Sequence, residues 1–220
     1  MSKILGVLGG MGPLATTAFM TRVQALTPAT RDEDHLRMLV DLNPQVPNRH
    51  LESEAAGRTL GEMAERLRDA GAEVLCMPCN TAHSHADVIR AAGLPFIDMV
   101  AETADVVAAT GARRVGVLAT PGGEALYQAA FAARGLEPVM LEGADRTAFM
   151  KAVFAVKGGD ADAGPRGEMR RLAAALVAAG AEAVVAGCTE VPLLLGPEDV
   201  AVPLTDSAEV LARVCVMACR

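Results

Sequence analysis

The chain has 220 residues and a formal charge of −7, with 51% hydrophobic residues, 3% aromatic residues and no Trp. That length suits one large domain or two small lobes, with a core of Ala, Val, Leu and Met. No basic run is present, which disfavours nucleic acid and anionic membrane as partners, because phosphate contacts need clustered Lys and Arg. A small anionic substrate stays open, since a local cation suffices for it.

No window reaches the roughly 18 uncharged apolar residues of a membrane span. The N-terminal residues enter a strand pattern at once, without the apolar segment and small-residue cleavage site of a signal peptide. The five cysteines are an odd number and read as reduced thiols in a cytoplasmic protein rather than as a disulfide framework.

In chain order, residues 3–8 form a short apolar strand. Gly9-Gly10-Met11-Gly12-Pro13 turns the chain into a helix on which Leu14, Ala18, Phe19, Val23 and Leu26 recur at helical spacing. Such a turn either presents backbone N–H groups to an anion or simply lets helix and strand pack closely. The dinucleotide fingerprint Gly-x-Gly-x-x-Gly is absent. Residues 36–42 are a second strand, running into a loop with Pro44, Pro47 and Arg49. An arginine on such a loop can hold a carboxylate through two parallel hydrogen bonds, or can be a solvated surface residue.

Residues 55–70 are an amphipathic helix leading to a strand that ends at Cys79; Asn80-Thr81 then caps a helix over 82–92. Residues 94–98 are the fourth strand and 100–110 a helix. The order then repeats. Strands are expected at 114–119, 138–141, 183–187 and 200–204, and helices at 124–134, 144–156, 166–179 and 207–219, with Lys157-Gly158-Gly159 ending the second of these helices. Four strands alternating with helices, twice, imply parallel sheets with right-handed crossovers.

The second half repeats the first in detail. Ala70-Gly71-Ala72-Glu73 returns as Ala179-Gly180-Ala181-Glu182, and Cys79 and Cys188 stand 109 residues apart at the same place in the two patterns. Both fall just past a strand end, the ligand side of an open parallel sheet. The positive end of a following helix would favour the thiolate there. Three readings compete. The two thiols exchange protons with opposite faces of one carbon; Cys76-x-x-Cys79, with His83 and His85 nearby, serves redox or metal chemistry; or the cysteines are core residues. Cys215 and Cys219, four apart on the last helix, read as packing, and His83 and His85 as surface or core contacts.

These motifs together resemble the aspartate/glutamate racemase family, and its aspartate racemase branch most. The resemblance rests on residues 6–16, Pro47-Asn48-Arg49, Pro78-Cys79-Asn80-Thr81-Ala82-His83, residues 115–120, Lys157-Gly158 and Gly187-Cys188-Thr189-Glu190. It implies an α/β fold of two similar lobes related by pseudo-two-fold symmetry, each with a four-stranded, mainly parallel sheet flanked by helices. The lobes would be 1–98 with 208–220, and 99–207, with the active site in the cleft between them. It also implies an amino-acid racemase that needs no cofactor or metal, commonly a homodimer. Cys79 and Cys188 would be the acid/base pair. Arg49 and Lys157 would hold substrate carboxylates. Asn80, Thr81, Thr120 and Thr189 would add polar contacts, and Glu190 would orient the ammonium or the Cys188 thiol. Sister activities on a hydantoin or on maleate, with one cysteine as nucleophile, and a non-catalytic binding module are the alternatives. Two departures, Gly123 and His50 where the family often has Thr, border the carboxylate sites and leave room for a substrate other than aspartate.

Overall fold

The computed structural model describes residues 2–49 and 51–220; His50 lies outside them. The chain divides into two compact units: one runs to Glu102 and takes back Ala208–Arg220, and the other is Thr103–Ser207.

In the first unit, β1 (Leu5–Gly9), β2 (Met38–Leu42), β3 (Val74–Cys76) and β4 (Phe96–Ile97) form a sheet in the order β2-β1-β3-β4, every pair parallel. The strands alternate between two cores. Leu5, Val7, Val74 and Cys76 join Phe19 and Val23 of α1 (Pro13–Leu26) and Leu211, Cys215 and Cys219 of α8 (Ser207–Cys219). Leu8, Leu75 and Met77 join Leu60, Met63, Ala64 and Leu67 of α2 (Ser53–Asp69) and Ile89 of α3 (Ala86–Arg90). A period of two along each strand thus covers both faces with helices, the arrangement that buries an all-parallel sheet. α4 (Met99–Ala108) begins under Asp98, whose Oδ1 accepts from the Val100 and Ala101 N–H groups at 3.1 Å each, an N-terminal cap.

The second unit repeats the topology. β5 (Arg114–Leu118), β6 (Glu137–Met140), β7 (Ala183–Ala186) and β8 (Leu204–Asp206) lie in the order β6-β5-β7-β8, again all parallel. The helices are α5 (Pro121–Ala132), α6 (Gly143–Lys157) and α7 (Ala163–Ala178), and Phe149, Val153, Met169, Leu172 and Leu176 of the last two build the core with Leu118, Val184 and Ala186.

The repeated Ala-Gly-Ala-Glu does the same physical work twice. Gly71 and Gly180 end α2 and α7 with φ of +98° and +95°, and Ala72 and Ala181 donate back to the carbonyls of Leu67 and Leu176 at 3.0 Å, the C-terminal closure that favours glycine. Glu73 Oε2 then accepts from the Ile4 N–H at 2.8 Å, and Glu182 Oε2 from the Arg113 N–H at 2.6 Å. In each unit one carboxylate thereby fixes the entry of the central strand.

Several expected elements differ at their ends; the strand expected to end at Cys79 stops at Cys76, and that expected over 94–98 is only Phe96–Ile97. Over 82–92, residues Thr81–His85 form a 3-10 turn and only Ala86–Arg90 is α-helix. Asn80 itself has helical dihedrals (φ −57°, ψ −52°) and makes no side-chain cap; the turn closes through His83 N–H to Asn80 O at 3.0 Å. The last strand is Leu204–Asp206 rather than 200–204. Pro203 has no N–H for a ladder, and its carbonyl instead accepts from Val184 N–H at 2.9 Å.

Candidate functional site

Each unit carries a strand-end loop with a buried cysteine. Register makes the two loops equivalent: Gly6 pairs with Leu75 and Gly116 with Val184, and each cysteine stands four residues beyond that partner. Cys79 and Cys188 are 5% and 6% exposed. Cys76 belongs elsewhere. It sits in the core against α8 while Cys79 belongs to the core on the opposite face, so the Cys-x-x-Cys spacing does not make one site. Burial and its Cys215 neighbour push the Cys76 thiol upward, as expected for a packing residue.

In the first unit, Asn80 and Thr81 are buried beside Cys79. His83 locks the loop: its Nε2 accepts from the Met99 N–H at 3.0 Å, so Nδ1 carries the ring proton and donates to the Cys79 carbonyl at 2.9 Å. The ring is therefore neutral, and burial holds its pKa below the ordinary histidine value, against a smaller opposing pull from Asp98. Because the unfolded chain binds this proton more readily, the contribution of His83 to stability is present above about pH 6.5 and is lost as pH falls toward its lowered native pKa. A His83→Gln variant, compared with the parent in thermal melts across that range, is expected to show a weaker fall in Tm on acidification; identical acid dependence would contradict the assignment.

Arg49 reaches this region from the loop after β2. Its Nε is buried without a hydrogen-bond partner among the described residues, and its charge, after burial, helps lower the pKa of His85. The glycine-rich turn packs closely against its neighbours. The Gly10 N–H donates to Thr16 Oγ1 at 2.9 Å, and a Cβ at Gly10 would stand 2.3 Å from the Asn43 backbone.

In the second unit, Cys188 Sγ donates to Glu190 Oε2 at 2.9 Å, and Lys157 Nζ, at the end of α6, pairs with Glu190 Oε1 at 3.0 Å. Glu190 is 3% exposed. Thr189 Oγ1 lies 3.4 Å from Glu190 Oε2. Burial and then the Glu190 carboxylate push the Cys188 thiol well above its ordinary range, with Lys157 offsetting part of the effect. The sequence suggested a thiolate favoured by a helix terminus; only the 3-10 turn Val191–Leu193 follows, too short for a sizeable helix dipole. Thr120 caps α5, its Oγ1 accepting from the Gly123 N–H at 3.3 Å.

Among the ion pairs that sequence reasoning missed, one is buried on its acidic side. Glu124, in the first turn of α5, is buried and meets Arg146, in the first turn of α6, at 2.8 Å. Burial raises the Glu124 pKa and Arg146 pulls it back. A carboxylate directly after Gly122-Gly123 at a helix start was the available signal.

No helix among the described residues is long and apolar enough to cross a membrane. The family model described as Asp/Glu/Hydantoin racemase matches residues 8–215. A broad specificity amino-acid racemase of Bacillus subtilis (strain 168) is 30% identical over 107 residues, 46% of this chain and 47% of that protein. A glutamate racemase of Synechococcus sp. (strain CC9605) is 34% identical over 159 residues, 69% of this chain and 56% of that protein. The chain thus spans about half the length of the curated relatives it matches. The Picrophilus torridus aspartate racemase structure superposes with a TM-score of 0.82 at 25% identity, covering 99% of this chain and 94% of that one. With a family match over nearly its whole length and two like lobes of parallel sheet, the chain belongs to the Asp/Glu/hydantoin racemase family.

Proposed function

We propose that this protein is a cofactor-independent racemase of aspartate or a related amino acid, a broader range of side chains included, working by two-base proton transfer. One of Cys79 and Cys188 takes the α-proton as thiolate while the other, as thiol, delivers a proton to the opposite face of the planar carbanion. Loss of the α-proton breaks the C–H bond and leaves its electron pair delocalised into the carboxylate; the second thiol restores a C–H bond with inverted configuration. Arg49 and Lys157 hold substrate carboxylates, Asn80, Thr81, Thr120 and Thr189 supply polar contacts, and Glu190 orients the ammonium or the Cys188 thiol.

The observation that carries the reading is the equivalence of the two cysteines in register, each buried at the ligand end of its sheet. The neutral His83 clamp and the Cys188–Glu190 hydrogen bond add to it, since both hold a thiol loop in one geometry. Substrate range is tested by incubating purified protein with a panel of L- and D-amino acids, aspartate, glutamate and neutral ones among them, and separating the products on a chiral column. Inversion of at least one is expected. No inversion of any amino acid by folded protein would overturn the reading, and inversion of a hydantoin alone would move it to that branch of the family.

A further inference from the structure

Two buried side-chain nitrogens have no hydrogen-bond partner among the described residues, Arg49 Nε and His85 Nε2. Both lie in the first unit, and the Arg49 charge acts on the His85 ring. Each comes from the chain just past a strand end, Arg49 from the loop after β2 and His85 from the 3-10 turn that follows Cys79. That is the ligand end of a parallel sheet. Helix α2 seats the ring: a Cβ at Gly57 would stand 3.1 Å from His85 Nδ1, so the glycine leaves the imidazole its place. Leaving a buried polar atom unpaired costs the fold stability. Such atoms are few in folded proteins, and each points to a partner from outside the chain.

We propose that His85 joins Arg49 in holding a carboxylate of the ligand, Arg49 Nε and His85 Nε2 each donating a hydrogen bond to it. The inference rests on the racemase reading only in making that ligand an amino acid. The resemblance supplies Arg49 alone, and the sequence left His85 as a surface or core contact. A carboxylate fits because its two oxygens take both donors and its charge offsets that of Arg49. The proton on the ring follows. In the free protein, burial and then the Arg49 charge hold the His85 pKa below its ordinary value. Glu54, Arg58, Glu62 and Glu65 of α2 line the same groove as the ring. Arg58 is paired with Glu54, and on α3 Arg90 is paired with Asp87. A bound carboxylate reverses the Arg49 effect and favours the imidazolium. Affinity therefore rises as pH falls through the raised pKa of the complex and levels off below the pKa of the free protein.

The test is proton NMR of the histidine ring signals, titrated from about pH 5 to 8 with and without succinate, a dicarboxylate with no stereocentre to invert. The chain has four histidines, and the His85 signal is the one lost in His85→Phe. Its midpoint is expected to rise by about one unit when succinate is present. A midpoint that succinate does not move overturns the proposal. His85→Phe should also weaken succinate binding about tenfold or more, the loss of one hydrogen bond to a charged group, with a melting temperature equal to the parent's or higher. An unchanged Kd, whatever the melting temperature, overturns it. If His85→Phe does not fold, His85→Gln decides: it keeps a donor but not the titration, so the succinate Kd should lose its pH dependence, and the parent's pH dependence in that variant overturns the proposal. None of these readouts needs turnover. A moved midpoint in protein that inverts no amino acid would keep this site and sink the racemase reading; inversion with an unmoved midpoint would do the reverse.

Discussion

Cys79→Ser and Cys188→Ser are each expected to lower racemisation by roughly 10²–10⁴-fold, the usual size of a lost general acid or base. Serine keeps the volume of the side chain, but its hydroxyl does not ionise in the working range. The loss should appear in kcat with folding intact, because the cysteines contribute to their cores mainly as small apolar groups. The two variants should also differ in kind. Each retains one working thiol, so each is expected to exchange the α-proton of one enantiomer with solvent without inverting it, and opposite enantiomers should be exchanged. Normal turnover in either variant, with melting like the parent, would remove that cysteine from the chemistry.

Arg49→Met is expected to reduce kcat/KM by about 10²–10⁴-fold, through loss of two charge-assisted hydrogen bonds to a substrate carboxylate at roughly 1.5–3 kcal/mol each. Arg49→Lys should recover little of this, because an ammonium cannot supply the planar fork. The same substitution should leave thermal stability unchanged or raised, since the buried Nε has no partner among the described residues, and leaving such a donor unsatisfied costs about 1–3 kcal/mol. A large fall in Tm together with unaltered KM would instead make Arg49 a structural residue.

The two-sheet plan was legible in the sequence because the hydrophobic pattern and the punctuation repeat together. The Ala-Gly-Ala-Glu motif marks a helix end and a strand start in both halves, and the structure shows what its Gly and Glu do: a left-handed glycine and a carboxylate bound to the entering backbone. Strand ends set by local chemistry were harder. Whether 200–204 or 204–206 pairs depends on Pro203 and on which carbonyl Val184 finds, which is a tertiary fact. Cysteine positions at the strand ends could be read from spacing, but their surroundings could not. The His83 clamp needs Met99, sixteen residues on, and the Cys188–Glu190–Lys157 line joins a loop to a helix end about thirty residues earlier in the chain. The Glu124–Arg146 pair escaped notice because neither residue stands out alone, and the two meet from the starts of different helices.

The central claim is that two thiols share one reaction, one removing the α-proton and the other replacing it from solvent-derived stock. The most direct measurement is early-time racemisation of a single enantiomer in heavy water, with α-deuterium scored separately in the recovered starting enantiomer and in the product. Deuterium in the product, with little in the unreacted starting enantiomer, is the predicted result. Product that keeps the substrate's own proton would mean that a single base serves both faces, and the two-thiol account would be wrong.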